Sequence, residues 1–136
     1  MSTFDQMLPG NWGEGSTILV VEDEVLIRLM ISEYLREFGY KVVEAKNAAE
    51  ATRILRSDEP VELVFSDIRM PGEMDGFALA QWIGRNKPGV GVVLTSAHLE
   101  PEHLAAQSCA DAQFVAKPYV PRTVLERIRT QLNRTA

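Results

Sequence analysis

The sequence has 136 residues, 46% of them hydrophobic and 24% charged, with a formal net charge of −5. That is enough apolar material for one globular core, and too little length for an ample second domain. The acidic balance argues against a broad basic surface for direct nucleic-acid binding, no apolar run is long enough to span a membrane, and the lone Cys109 excludes an intramolecular disulfide.

Residues 1–16 carry Pro9-Gly10, Gly13 and Gly15 with no hydrophobic period, and read as a flexible N-terminal tail. They lack the basic stretch and apolar core of a secretory signal, so a soluble, cytoplasmic protein is expected. The pattern changes at Thr17. Ile18-Leu19-Val20-Val21 is the unbroken apolar run of a strand covered on both faces. After Glu22-Asp23-Glu24, residues Ile27, Ile31, Tyr34, Leu35 and Phe38 recur at helical spacing up to Gly39, a residue suited to the position just past a helix end.

The alternation then repeats. Lys41 to Ala45 reads as a second strand, and Asn47 with Glu50 resembles a capping pair opening a helix whose Ala48, Ala51 and Leu55 share one face. Val61 to Asp67 is the third strand, followed by the turn-rich Met70 to Gly76 and a helix with Phe77, Leu79, Ala80 and Ile83 that runs on to Pro88-Gly89. Val90 to Ser96 is the fourth strand. Pro101 to Cys109 reads as a helix with Leu104 as its one large aliphatic residue, which makes it the least firmly packed element. Gln113 to Ala116 is a short fifth strand, and Val124, Leu125, Ile128 and Leu132 mark a final amphipathic helix. Strand and helix alternating five times imply an α/β domain over residues 17–134, a five-stranded parallel sheet with helices on both faces.

The polar residues fall in informative places. Glu22 and Asp23 follow the first strand, Asp67 closes the third, Ser96 closes the fourth, and Lys117 lies just past the fifth. Open parallel sheets bind ligands at the carboxyl ends of their strands, near the switch in strand order. With order 2-1-3-4-5, these five groups converge on one crevice. Two carboxylates about 4 Å apart repel by roughly 4 kcal/mol at an effective dielectric of about 20. Protonating one of them would relieve this, a hard divalent cation relieves it better, and carboxylates with water and a backbone carbonyl suit Mg²⁺. Lys117 alone cannot neutralise three acids but suits a phosphoryl oxygen, and a carboxylate is available as nucleophile.

At this point the chain resembles the response-regulator receiver family of two-component signalling, in its single-domain form. The resemblance is carried by Glu22-Asp23 after an apolar strand, by Asp67-Ile-Arg-Met-Pro-Gly-Glu-Met-Asp-Gly, by Thr95-Ser96-Ala97, and by Lys117-Pro118-Tyr119. It implies the flavodoxin-like receiver fold and a phospho-acceptor at Asp67, which takes its phosphoryl group from a histidine kinase or histidine phosphotransfer protein. It also implies Mg²⁺ held by Glu22, Asp23, Asp67 and the Arg69 backbone carbonyl, Lys117 on a phosphoryl oxygen, Ser96 as switch hydroxyl and Phe114 as its aromatic partner. Thr95 stays the neighbouring candidate for the hydroxyl. No enzyme is implied beyond Mg-dependent self-phosphorylation and autodephosphorylation. With no output domain after Ala136, signalling is expected to pass through contacts with a downstream effector protein or a phosphorylation-dependent dimer, without direct nucleic acid or membrane.

Several features carry blander readings. Glu22-Asp23-Glu24 alone is a solvated helix N-terminus favoured by the dipole, and it gains meaning from Asp67 and Lys117 on neighbouring strand ends. Asp75-Gly76 reads as turn and cap, His98 and His103 as surface, Cys109 as a small buried hydrophobe, and Trp82 as cover for a helix edge. Val120-Pro121 leaves the last helix without a polar cap. Three rival functions are weaker. A nucleotide-binding module would need phosphate-cradling glycines where Glu22-Asp23-Glu24 stands. An aspartate-nucleophile phosphohydrolase would need an acid where Arg69 stands. A scaffold that is never phosphorylated would not need the complete set of acids and lysine.

Overall fold

The protein is seen here as a computed structural model that describes residues 13–97 and 112–135. Five strands, β1 (Thr17–Val21), β2 (Lys41–Ala45), β3 (Val61–Asp67), β4 (Gly91–Ser96) and β5 (Gln113–Ala116), form one sheet in the order β2-β1-β3-β4-β5. All four neighbouring pairs are parallel. The expected strand order is therefore present. Every residue of β1 is buried, because helices cover both faces of the sheet, and so its sequence is a continuous apolar run without alternation. The expected helix over Pro101 to Cys109, with Leu104, and the residues His98 and His103 lie outside the described residues.

The four described helices are α1 (Val25–Glu37), α2 (Ala48–Arg56), α3 (Gly76–Asn86) and α4 (Pro121–Thr135). On one side of the sheet, Val20, Phe65 and Val93 pack with Ile31 and Leu35 of α1 and with Ile128 of α4. On the other side, Leu19, Val64 and Leu94 pack with Leu55 of α2 and with Leu79 and Ile83 of α3. Side chains alternate along each strand, so adjacent residues belong to different cores.

Local chemistry accounts for the element ends. The Asn47 side chain accepts a hydrogen bond from the Glu50 N–H at 2.8 Å, and the Asp75 side chain accepts one from Ala78 N–H at 2.9 Å, each cap contributing about 1 kcal/mol. Helix α1 differs. Its N-cap residue, Glu24, makes no side-chain cap, and the Glu22 carboxylate instead accepts from the Glu24 N–H at 3.1 Å. Gly39 ends α1 at a φ of 96°. The chain then reverses so that Lys41 N–H donates to the Ser16 carbonyl at 3.0 Å. Helix α4 opens with a backbone turn, Thr123 N–H donating to the Val120 carbonyl at 3.0 Å.

Candidate functional site

The order β1-β3-β4-β5 sets four strand ends side by side. The ladder extends past β1, where Glu22 N–H donates to the Ala45 carbonyl at 3.0 Å, so Glu22 is held at the rim and is buried. Asp67 ends β3 and is also buried, whereas Asp23 is exposed. Carboxylate oxygens of Glu22, Asp23 and Asp67 lie within 4.8 Å of one another. Lys117, just past β5, donates from Nζ to Asp67 Oδ2 at 2.9 Å and stands 3.6 Å from Glu22 Oε2. The Arg69 N–H donates to Asp67 Oδ1 at 3.2 Å, so both oxygens of Asp67 are oriented.

One ammonium against three carboxylates leaves the crevice short of positive charge. Burial, reinforced by the charge of Asp67, pushes the Glu22 carboxyl up to about 7, with the Glu24 N–H and Lys117 offsetting only part of it. Burial alone would lower the Lys117 pKa, but its bond to Asp67 and the charges of Asp67 and Glu22 outweigh that and raise it. Burial and Glu22 push the Tyr119 hydroxyl up to about 12, and its oxygen is buried without a hydrogen bond among the described residues. A pocket whose buried acid resists ionisation, rimmed by three oxygen donors, fits a hard divalent cation.

Thr95 and Ser96 are both buried at the end of β4. Thr95 pairs with Asp67 in the ladder, and Ser96 pairs with Ala116 and accepts from Lys117 N–H at 3.0 Å. Leu94 pairs with Phe114, and both pack in the core beside α2 and α3. Alternation therefore sets Ser96 on the same face of the sheet as Phe114, and Thr95 on the opposite one. The half-buried Phe114 ring meets Phe77 of α3 with centroids 6.4 Å apart.

The structure brings Glu22, Asp23, Asp67, Lys117 and the Arg69 backbone N–H together, sets Ser96 at the neighbouring strand end and Phe114 against Phe77, and gives two further residues a place at the site. Gly76 donates its N–H to the Ile68 carbonyl at 2.7 Å, and its Cα side faces the Asp67 backbone so closely that no side chain fits. Arg28 donates to the Glu22 carbonyl at 2.8 Å. A glycine opening a helix hints at a close approach, but an arginine on a helix face carries no such mark.

A doubly wound α/β domain with carboxylates and a lysine gathered at the strand-order switch is the class this geometry defines. Residues 18–129 match the response regulator receiver domain family, and the chain belongs to it. That family is one of signalling switches and not of classical enzymes. The chain is 36% identical over 122 residues to a transcriptional regulatory protein, AruR, of Pseudomonas aeruginosa, a match covering 86% of this chain and 49% of that protein. It is 32% identical over 124 residues to PhoB, the phosphate regulon transcriptional regulatory protein of the same organism, covering 89% of this chain and 53% of that protein. The chain thus spans about half the length of the curated relatives it matches. Among solved structures, a response regulator receiver protein from Sinorhizobium medicae superposes with a TM-score of 0.83 at 25% identity, covering 90% of this chain and 98% of that one.

Proposed function

We propose that the protein is a phosphoryl switch in which Asp67 is the phospho-acceptor. The observation that carries this reading is the convergence of three carboxylates within 4.8 Å with Lys117 bonded to one of them at 2.9 Å. Asp67 is the acid held from both sides, by Lys117 Nζ and by Arg69 N–H, and is thereby aimed as a nucleophile. One of its oxygens bonds to phosphorus as the phosphorus–nitrogen bond of a partner's phosphohistidine breaks, and the imidazole leaves with that electron pair. Lys117 then shifts its hydrogen bond to a phosphoryl oxygen. Glu22, Asp23, Asp67 and the Arg69 carbonyl would hold Mg²⁺, which when bound screens the phosphoryl charge. The hydroxyl of Ser96 bonds a phosphoryl oxygen, and the face it shares with Phe114 supports these two residues as the readout.

In this reading the receiver unit is 17–134, preceded by a tail over 1–16, and works in the cytoplasm. Its partners are a histidine kinase or histidine phosphotransfer protein, an effector protein, and a second copy of the phosphorylated chain. Protein docking is supported by the exposed Val25, Leu26, Leu29 and Met30 at the start of α1, directly after the acidic loop. They continue into an apolar cleft lined by Ile27, Met30, Ala97, Lys117, Pro118 and Tyr119. No described helix is long and apolar enough to cross a membrane. The test is incubation with a small phosphodonor and Mg²⁺, followed by intact-mass measurement. An alkali-labile phosphate adduct on the wild type and none on Asp67→Asn is the expected result. An undiminished adduct on Asp67→Asn would overturn the assignment.

A further inference from the structure

We propose that Arg28 is a positioning residue for the acidic site: its guanidinium clamps the Glu22–Asp23 peptide and so holds both carboxylates where a divalent cation needs them. This rests on the metal reading above. Glu22 and Asp23 sit in the short link between β1 and α1, and their repulsion from each other and from Asp67 tends to open that link. Two hydrogen bonds restrain Glu22 itself, from its N–H to the Ala45 carbonyl at 3.0 Å and from the Glu24 N–H to its carboxylate at 3.1 Å. Neither fixes the peptide that leads on to Asp23. The carbonyl of that peptide belongs to Glu22, and Arg28 Nη1 donates to it at 2.8 Å.

The far side of Arg28 is anchored on the sheet. Its Nε donates to Glu44 Oε1 of β2 at 3.3 Å. The other oxygen of Glu44 accepts from Arg36 at 3.2 Å, and Arg36 also bonds the Val42 carbonyl at 3.1 Å. The loop is thus tied through a half-buried guanidinium to the side chain of Glu44 on β2. An arginine is needed because its planar fork serves two acceptors at a set angle, whereas a lysine is a point donor. An ordinary surface ion pair between Arg28 and Glu44 would contribute little and would leave the site untouched. What separates this clamp from such a pair is the bond directed at the backbone between two ligating side chains. Hydrogen-bond partners of ligating groups typically govern metal affinity by about 10–100-fold.

The experiment is calorimetric titration of the full chain with Mg²⁺, alongside thermal melting of the metal-free protein, for wild type, Asp23→Asn, Arg28→Ala, Arg28→Lys and Glu44→Gln. Arg28→Ala is expected to bind Mg²⁺ about 10–100-fold more weakly, with Arg28→Lys between it and wild type and Glu44→Gln losing less. In phosphorylation by a small phosphodonor, the Mg²⁺ concentration giving half the maximal rate should rise by the same factor, while the rate at saturating Mg²⁺ largely recovers. A lowered melting midpoint with Mg²⁺ affinity unchanged would mean that Arg28 is merely structural, and would overturn the proposal. If Arg28→Ala does not fold, Arg28→Lys decides: a loss of about threefold or more supports the clamp, and wild-type affinity overturns it. Wild-type binding that is absent, or indifferent to Asp23→Asn, would instead sink the metal reading itself, so the two failures are distinguishable.

Discussion

Gly76 approaches Asp67 so closely that a Cβ on it would stand 2.4 Å from the Asp67 carbonyl oxygen and 2.6 Å from the Ile68 Cα. The same carbonyl accepts a hydrogen bond from the Ser66 hydroxyl at 2.9 Å. The first turn of α3 is therefore packed directly on the backbone of the acceptor residue. Both atoms that a methyl group would meet are backbone, so neither can rotate away.

Gly76→Ala is expected to destabilise the fold by about 1–3 kcal/mol, because the overlap must push α3 and the end of β3 apart. Gly84, exposed in the same helix with nothing within 4 Å of where a methyl group would stand, provides the contrast. Gly84→Ala should stabilise by about 0.5–1 kcal/mol through helix propensity. Urea unfolding of both variants measures this, and a Gly76→Ala protein as stable as wild type would contradict the packing described.

The acidic crevice should make stability depend on pH and metal. The Glu22 carboxyl is raised from an ordinary 4.5 to about 7 by burial first and by Asp67 second. A group raised in the folded state favours folding while protonated, and that advantage is lost as pH climbs through the folded value. Metal-free protein should therefore melt lower at pH 8 than at pH 5.5, by about 5 °C or more. Glu22→Gln should flatten this slope. Mg²⁺ should restore the midpoint at pH 8 and bind more tightly there than at pH 6, since it needs the ionised carboxylate. Parallel slopes for wild type and Glu22→Gln would assign the effect to other groups.

Asp23 is the exposed member of the cluster, so its removal should cost little in folding and much in binding. Asp23→Asn is expected to weaken Mg²⁺ by about tenfold or more, while its metal-free melting midpoint stays within a few degrees of wild type. Calorimetry giving equal affinities for the two proteins would remove Asp23 from the ligand set.

Ser96 and Phe114 share one face of the sheet, and on that face Phe114 meets Phe77 of α3. Ser96→Ala should accept phosphate more slowly and lose most of the amide NMR shift around Phe114 that beryllofluoride, a mimic of the acyl phosphate, produces in wild type. A full shift in Ser96→Ala would transfer the switch to the hydroxyl of Thr95.

The strands and their ends were legible in the sequence, while the strand order came with the family resemblance and not from the residue pattern. Buried parallel strands declare themselves as apolar runs, and Glu22, Asp67 and Lys117 stand where those runs stop. Asn47 and Gly39 announced their caps because single residues satisfy those backbone demands locally. Other features existed only once the chain was folded. The contact between Gly76 and Asp67, and the bond from Arg28 to the Glu22 carbonyl, join groups whose relation depends on how helices settle on the sheet. The pKa of Glu22 likewise comes from burial and from Asp67, which lies 45 residues away in the chain. Sequence patterns record the period and chemistry of side chains, while close approach and electrostatic field depend on distance in space, which tertiary packing alone decides.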